Sequence, residues 1–298
     1  MNHRLSDFQA LGGLSVLRDG AFAITGKLST PLNGLCVPLR SAKYADEVNA
    51  NPRIVAVITR PDIAERLDSR LAVAVTEDPD GVHSELHVLC AKAHEAALAA
   101  SPTRIHPDAH IDPDARVAPY GVDIGPGVHV AAKVVIAAGV TIEDDCIIHP
   151  GVALGVSAFN TGIVQGRRRI IPSIGGVRLR RGVEILANSC IAKAIFGGET
   201  TIGEETVTDN LVYIAHDCQI GRRVQICALV NVLGRVVVGD EAYLGPSAVI
   251  VNGVSVGARA KVSIGAVVTQ NVPDDQQVSG NFAIDHQNFL AHMRQIRG

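Results

Sequence analysis

The chain of 298 residues contains no tryptophan, and aromatic residues make up only 3% of it. Its hydrophobic fraction of 47% is therefore carried mainly by small aliphatic and β-branched side chains, and glycine contributes another 29 residues. Such a composition fits a thin and regular β core better than a helical bundle. The net charge of −3 creates no long-range field that would attract nucleic acid, so we expect no nucleic-acid partner.

Signals for several other protein classes are also missing. The N-terminal segment lacks a basic stretch followed by an apolar run, and no hydrophobic stretch is long enough to cross a membrane, which predicts a cytoplasmic protein without a membrane span. The six cysteines are widely separated and form no Cys-x-x-Cys pair, which indicates reduced thiols. The sequence contains no His-x4-His pair of the kind that suggests a zinc centre, and we expect no metal and no permanently bound cofactor.

What the sequence does contain is a long repeat, in which an aliphatic residue recurs at every sixth position. From residue 202 to residue 268, eleven of the twelve positions in this phase are aliphatic, and the exception is Thr208. A period of six matches neither an α-helix nor the alternation of one long strand. It indicates short strands joined by tight corners, three to a coil, with the aliphatic residues pointing inward. The sequence therefore predicts a mainly β protein built around a parallel β-helix.

Interruptions of the repeat and the regions outside it suggest the domain organisation. The repeat is broken at about 156–176, where we expect a loop that leaves the β-helix, and again by a smaller bulge at Phe196-Gly-Gly-Glu199. Residues 1–100 show no repeat; four strand-like runs alternate there with helical patterns near 5–17, 62–69 and 82–100. We therefore predict an α/β domain at 1–100, the β-helix at 101–276 and a short capping helix at 277–298.

One stretch of the repeat resembles a known enzyme family. Asp209-Asn-Leu-Val-Tyr-Ile-Ala-His216 is similar to a block of the hexapeptide-repeat acyltransferases, and within them to that of the UDP-3-O-acylglucosamine N-acyltransferases of lipid A synthesis. The resemblance implies a left-handed β-helix, a homotrimer with its sites between neighbouring subunits, and His216 as general base. Lys43-Tyr44 resembles the family's nucleotide-recognising segment, in which the tyrosine stacks on uracil. The resemblance thus implies that residues 1–100 bind the nucleotide sugar.

The chain also departs from the family pattern. Pro38 and Ser41 replace an uracil-contacting Phe and an Asn, Val156-Ser-Ala-Phe-Asn160 replaces the loop motif Asp-Gly-Phe-Gly, and Ala192-Lys-Ala-Ile replaces an Asp-Arg-Gly. No histidine between His216 and His286 matches a second histidine of the family. These departures leave the nucleotide, the sugar, the acyl chain and the identity of the donor open. Lipid A N-acylation proper is therefore the alternative to a wider class of nucleotide-linked amino sugars.

The chemistry of amide formation suggests roles for several residues of the repeat. Acyl transfer to an amine needs a base for the amine proton and a donor for the oxyanion of the thioester. His216 lies two residues past an inward position, at a corner, and Gly234 stacks one coil above it, where its N–H could serve as that donor. We assign Asn210 to catalysis and Asp209 to substrate binding. The alternatives are an exposed turn histidine, a corner glycine chosen for positive φ, and polar residues that satisfy corner backbone groups.

Binding of the two substrates is assigned to other residues. Tyr44 and Lys43 would hold the nucleotide, and basic residues would hold the phosphates of coenzyme A or the acidic surface of an acyl carrier protein. The residues assigned to the acyl donor are Arg178, Arg180, Arg181 and Asn252. Arg167-Arg168-Arg169 could add to this basic group, with a solvated loop as the alternative.

Three functional classes are compatible with a β-helix, and the sequence favours one of them. Zinc catalysis of the γ-carbonic anhydrase type needs converging histidines that this pattern does not supply. A scaffold protein would show an uninterrupted repeat without an α/β domain. A sugar nucleotidyltransferase, a further class, would need a glycine-rich phosphate loop that the N-terminal domain lacks. The sequence therefore predicts an N-acyltransferase that moves an acyl group from acyl-CoA or an acyl carrier protein to a nucleotide-linked amino sugar used in cell-surface polysaccharide or lipopolysaccharide synthesis.

Overall fold

The computed structural model describes residues 3–280, 283 and 285–297, with the backbone alone at 289, 296 and 297. Residues 281, 282, 284 and 298 of the predicted capping segment lie outside this part of the chain. The N-terminal region contains β1 His3–Arg4, β2 Ser15–Arg18, β3 Ala21–Phe22, β4 Ile24–Thr25, β5 Leu35–Leu39, α1 Ala45–Ala50, β6 Ile54–Thr59, α2 Pro61–Ala64, β7 Ala72–Val75 and α3 Pro79–Ala99.

A five-stranded sheet with the order β2-β7-β6-β5-β4 organises this region. Strands β4 to β7 are parallel, and β2 runs antiparallel along the edge. All five residues of β5 and all four of β7 are buried, as expected for strands covered on both faces. Two separate apolar clusters form, and residues of α3 such as Leu86 belong to one of them. The predicted α/β character of residues 1–100 thus has a physical basis in continuous apolar strands.

The helix predicted near 5–17 is wrong, and the one near 62–69 is shorter than expected. Residues Leu5–Phe8 form a 3₁₀ turn, whereas Ser15–Arg18 is a strand that pairs with β7. The glycine pair at 12 and 13, with φ of 77° at Gly13, interrupts any helix, and sheet pairing then decides the conformation of the residues that follow. Helix α2 ends at Ala64, while α3 covers the region where the third helical pattern was found.

The repeat forms a stack of coils with three flat faces. In chain order the strands of this region, including β17 and β18 of the excursion, are β8 Arg104–Ile105, β9 His110–Ile111, β10 Arg116–Val117, β11 Val122–Ile124, β12 His129–Val130, β13 Val135–Ile136, β14 Val140–Ile142, β15 Ile147–Ile148, β16 Ala153–Val156, β17 Thr161–Val164, β18 Arg167–Ile170, β19 Gly176–Leu179, β20 Glu184–Ile185, β21 Cys190–Ala192, β22 Glu199–Ile202, β23 Val207–Thr208, β24 Tyr213–Ile214, β25 Gln219–Ile220, β26 Gln225–Ile226, β27 Asn231–Val232, β28 Val237–Val238, β29 Tyr243–Leu244, β30 Val249–Ile250, β31 Ser255–Val256, β32 Lys261–Val262, β33 Val267–Val268 and β34 Gln277–Val278.

Each face is a parallel sheet, and the chain passes from face A to face B to face C in every coil. Face A contains β8, β11, β14, β19, β22, β25, β28 and β31; face B contains β9, β12, β15, β20, β23, β26, β29, β32 and β34; face C contains β10, β13, β16, β21, β24, β27, β30 and β33. On face C, Ile214 pairs with Val232 and Val232 with Ile250, and all three are 0% exposed. The predicted parallel β-helix is confirmed, and its left hand is what the family resemblance implies.

The corners of the coil use an unusual backbone conformation at regular intervals. Ordinary residues with φ between 53° and 63° recur every sixth position from 205 to 247, among them Asp217 and Arg235. A single left-handed residue costs free energy for an L-amino acid and persists only where the surrounding structure determines it. Here the hydrogen bonds between stacked coils supply that constraint, as when the Arg235 N–H donates to the His216 carbonyl at 2.9 Å.

Both predicted interruptions of the repeat are present. The first contains an antiparallel hairpin, in which β17 pairs with β18, and it packs against α3, where the Gln165 N–H donates to Glu85 Oε1 at 2.9 Å. The second is the 195–198 bulge, which lies at the corner between β21 and β22. Beyond the last coil, α4 spans His286–Arg297. Its capping role and the exact domain boundaries stay predictions.

Candidate active site

His216 lies at the corner between β24 on face C and β25 on face A. Its side chain is 16% exposed, and its Nδ1 is 2.7 Å from Asp217 Oδ2. Since a carboxylate can only accept a hydrogen bond, Nδ1 carries the proton and Nε2 is left with a free lone pair. An imidazole held in this tautomer by a carboxylate can take a proton through Nε2, as a general base must.

Asp217 is fixed by contacts other than the one to His216. Its Oδ1 accepts the N–H of Ile195 at 3.3 Å, and its own N–H donates to Thr200 Oγ1 at 2.9 Å. Thr200 is fully buried. Both carboxylate oxygens therefore have a partner, and the orientation of the imidazole depends on the coil below as well as on its own corner.

Gly234 lies one coil above His216, in contact with the imidazole. A Cβ at this position would come within 2.4 Å of both Cε1 and Nε2 of the ring. The positive φ of this corner belongs to Arg235 at 62°, so the close approach of the ring explains the glycine better than backbone conformation does. The Gly234 carbonyl accepts from the Gly253 N–H, whereas the Gly234 N–H donates to no group among the described residues.

A pocket of about 520 Å³ opens beside this corner. One wall is the outward side of face A, another is the 195–198 bulge, and the third is loop 27–32 of the N-terminal region. The lining residues are Lys27, Ser29, Thr30, Pro31, Leu32, Ile195, Phe196, Gly197, Gly198, Glu199, Thr201, His216, Asp217, Gln219, Arg235 and Val237. No repeat or motif in the sequence relates loop 27–32 to His216, so the place of this loop in the pocket was not predicted.

The charges around the pocket leave two cations with weak protein partners or none. Glu199 is engaged by the Arg178 guanidinium, with Nε 2.7 Å from Oε2 and Nη2 2.8 Å from Oε1. Lys27 has only a 3.8 Å contact to Asp80 Oδ1. The Arg235 side chain is exposed and has no ion pair within the described chain. The mouth of the pocket is therefore suited to an anionic group.

Asn210 and Asp209 lie at a different corner, between β23 on face B and β24 on face C. Asp209 Oδ1 accepts from the backbone N–H and the side-chain amide of Asn210, and Oδ2 accepts from the Ala228 N–H at 3.2 Å. Neither residue lines the pocket at His216. Within one chain they satisfy the polar groups of their own corner, which was the alternative reading of the sequence.

The predicted nucleotide-binding pair is exposed on the N-terminal region. Lys43 and Tyr44 end a 3₁₀ turn in which the Lys43 N–H donates to Ser41 Oγ at 3.4 Å, and the Lys43 ammonium lies 5.5 Å from the centroid of the Tyr44 ring. Tyr44 is 45% exposed, so part of its side chain is accessible to a ligand. The structure brings neither residue into the pocket at His216, and their role stays a prediction.

The residues assigned to the acyl donor do not form one basic site. Arg180 Nη1 lies 2.8 Å from Glu143, and pairing with Glu199 and Glu143 raises the pKa of Arg178 above its usual value. Carboxylates therefore already occupy both guanidinium groups, so these two arginines are poorly placed to bind phosphate. Arg181 has no side-chain partner among the described residues, and Asn252 is exposed at the corner one coil above Gly234.

Other titratable groups outside the pocket have structural partners or buried surroundings. His149 Nε2 is 2.7 Å from Glu184 Oε1, and burial raises the pKa of the Cys146 and Cys218 thiols to about 12. Among the residues described, no cluster of three or more histidine, cysteine, aspartate or glutamate side chains could hold a metal ion. In the same part of the chain, no helix combines the length and apolarity needed to span a bilayer.

Comparison with curated proteins confirms the resemblance inferred from the sequence. The chain is 35% identical over 144 residues to a UDP-3-O-acylglucosamine N-acyltransferase from Caulobacter sp. (strain K31). The aligned region covers 47% of this chain and 41% of the relative. It is 33% identical over 141 residues to a probable UDP-3-O-acylglucosamine N-acyltransferase 2, mitochondrial, from Arabidopsis thaliana, covering 47% and 46%. The matches thus span less than half the length of these relatives, and no protein-family model matches the chain.

Solved structures of UDP-N-acetylglucosamine acyltransferases also align with parts of the chain. The enzyme from Arabidopsis is 22% identical with a TM-score of 0.40, over 59% of this chain and 71% of that one. The enzyme from Campylobacter jejuni is 20% identical with a TM-score of 0.41, over 65% and 83%. Both solved structures are under 25% identical to this chain, and both TM-scores are below 0.5.

Proposed function

We propose that this protein is an N-acyltransferase that moves an acyl group from a thioester to the amine of a nucleotide-linked amino sugar. The observation that carries the proposal is the stack of His216 and Gly234, with a carboxylate on the imidazole and a pocket beside it. A base and an oxyanion donor side by side are what acyl transfer requires. The similarity to UDP-3-O-acylglucosamine N-acyltransferases makes a UDP-linked acceptor of that type the first one to test.

In the proposed reaction, groups of this chain transfer one proton and stabilise one developing negative charge. The amine nitrogen attacks the thioester carbon while His216 Nε2 takes a proton from it, and the Gly234 N–H donates to the resulting oxyanion. Collapse of the tetrahedral intermediate forms the amide C–N bond and breaks the C–S bond. The thiolate leaves with the electron pair and receives the proton from His216. Asp217 stabilises the imidazolium between these two transfers.

Arg235 supports a phosphate-bearing acceptor in this pocket. Other arginines of the coil, such as Arg222 and Arg259, pair with an aspartate of the following coil. The position one coil above Arg235 is Gly253, which offers no carboxylate. In a nucleotide-linked amino sugar the anomeric phosphate lies only a few bonds from the amine, whereas the phosphates of coenzyme A lie a whole pantetheine arm from the thioester. An arginine next to Gly234 therefore fits the sugar phosphate.

The donor and the assembly are part of the same proposal. An acyltransferase needs a thioester, so acyl-CoA or an acyl carrier protein is the expected second substrate, and a homotrimer in the cytoplasm is the expected form. The experiment that tests the function incubates the purified protein with UDP-, dTDP- and GDP-linked amino sugars and either donor, and detects the amide by mass spectrometry. A thermal-shift series with the same sugars measures binding separately. If no pair of sugar and donor gives a product and no sugar raises the melting temperature, the proposal is overturned.

A further inference from the structure

The 195–198 bulge connects the N-terminal region to the pair formed by Asp217 and His216. It donates the Ile195 N–H to Asp217 Oδ1 at 3.3 Å, opposite the oxygen that holds the imidazole. The next residue, Phe196, lines the pocket and also contacts α3. We infer that Phe196 is a positioning residue, which anchors the bulge on α3 and thereby holds Asp217 and His216 in their reactive orientation.

The anchor on α3 consists of two histidine rings. The Phe196 ring meets the His87 ring edge-on, with centroids 5.1 Å apart and an interplanar angle of 74°, and lies 6.1 Å from the centroid of His83. Edge-on contact is a favoured arrangement of aromatic rings. Burial lowers the pKa of both histidines, that of His83 to about 3, so both rings are neutral and present an uncharged surface to the phenyl ring.

His87 is itself fixed by hydrogen bonds on both ring nitrogens. The Pro172 carbonyl lies 2.9 Å from Nε2 and can only accept, so Nε2 carries the hydrogen and Nδ1 accepts from the Thr25 hydroxyl. Thr25 belongs to β4, and Pro172 follows the hairpin formed by β17 and β18. The His87 ring of α3 therefore contacts both β4 and the segment that follows the hairpin, and Phe196 packs against this ring.

The backbone of the bulge has little freedom to move once Phe196 is seated. Gly197 has φ of 130°, and a Cβ there would lie 2.4 Å from Ile24 Cδ1 of the N-terminal region. On the other side, the Gly176 N–H donates to the Gly198 carbonyl at 2.8 Å, and the Ile174 N–H donates to the Ile195 carbonyl at 2.9 Å. The backbone contacts hold the two ends of the bulge, and the Phe196 side chain adds the contact that fixes the middle of the bulge on α3.

A double-mutant cycle between Phe196 and Asp217 tests the inference, and its kinetic readout rests on the proposed function. We expect Phe196→Ala to lower kcat roughly 10- to 100-fold, the size expected when a reacting group is misplaced by a fraction of a bond length. Asp217→Gly removes the carboxylate without strain, because the φ of 61° suits glycine. In that background Phe196→Ala should change kcat less than about twofold, since its effect passes through Asp217. Full additivity in kcat would overturn the inference.

The controls separate positioning from stability and from loss of pocket lining. Phe159 is 82% exposed, so Phe159→Ala makes the same substitution away from the pocket and should leave kcat unchanged. If removal of the Phe196 ring from the pocket wall raises KM, the rise should be the same in the wild type and in Asp217→Gly. The fall in kcat should be large in the wild type and small in Asp217→Gly. Phe196→Leu, which keeps apolar volume without the ring, provides a milder variant should Phe196→Ala not fold.

A spectroscopic measurement tests the same inference without any activity. Protein labelled with ¹⁵N in its histidines should show His216, assigned through His216→Ala, in the Nδ1-protonated tautomer that Asp217 imposes. Phe196→Leu or Phe196→Ala should shift part of the population to the Nε2-protonated tautomer. An unchanged tautomer in a folded variant would refute the inference. If the Phe196 variants shift the tautomer but no acylation assay gives a product, the proposed function is refuted and the inference about Phe196 stands.

Discussion

Replacement of His216 by alanine separates a catalytic role from a structural one. The side chain lies at a corner, outside the aliphatic positions that form the core, and its one hydrogen bond is the 2.7 Å contact to Asp217. Asp217 keeps the Ile195 N–H when the imidazole is removed. We therefore expect His216→Ala to cost about 1 kcal/mol of unfolding free energy, the size of one net hydrogen bond.

The effect on catalysis should be far larger than the effect on stability. Loss of a general base lowers kcat by roughly 10² to 10⁴. Ile214→Ala, two residues away, is the matched control, because Ile214 is 0% exposed and lies in the core of the coil. It should cost about 2–5 kcal/mol of stability and reduce turnover only in proportion to the unfolded fraction.

The assay combines steady-state kinetics with thermal unfolding of both variants and with binding of the nucleotide sugar. Binding should persist in His216→Ala, since the nucleotide contacts are assigned to other residues. A folded His216→Ala protein that acylates its amino sugar at close to the wild-type rate would refute the assignment of the base. A variant that loses turnover only through unfolding would assign His216 a structural role.

Four further predictions follow from individual contacts. Gly234→Ala should lower kcat with the fold intact, because its Cβ would lie 2.4 Å from the imidazole; an unchanged kcat would contradict the stacking. Arg235→Gln should raise KM for the nucleotide sugar but not for the free amino sugar, measured side by side. Tyr44→Ala should raise KM with less effect on kcat if the ring stacks on the base; an unchanged KM would place the nucleotide elsewhere. Thr208→Val should raise the melting temperature, because the buried hydroxyl has no partner among the described residues; a lower value would contradict this.

The repeat made most of the β-helix predictable, because one hexapeptide builds one face and three build one coil. Residues 18 apart therefore stack, as Ile214, Val232 and Ile250 do, and the same arithmetic placed Gly234 above His216. It also explains why Asn210, one hexapeptide before His216, lies at a different corner. The conformation of residues 5–17 was harder to predict, since their helical pattern competes with pairing to β7, a strand more than fifty residues away.

The sequence by itself thus determined the coil, the position of the candidate base and its neighbour in the next coil, because a local period dictates which side chains face inward and which stack. Only the tertiary structure decided what surrounds that corner. Loop 27–32 and the 195–198 bulge form walls of the same pocket, and Arg178 is paired with Glu199 rather than free. These contacts join residues from separate structural elements, and their geometry depends on how α3 and its sheet pack against the coil, which no local pattern records.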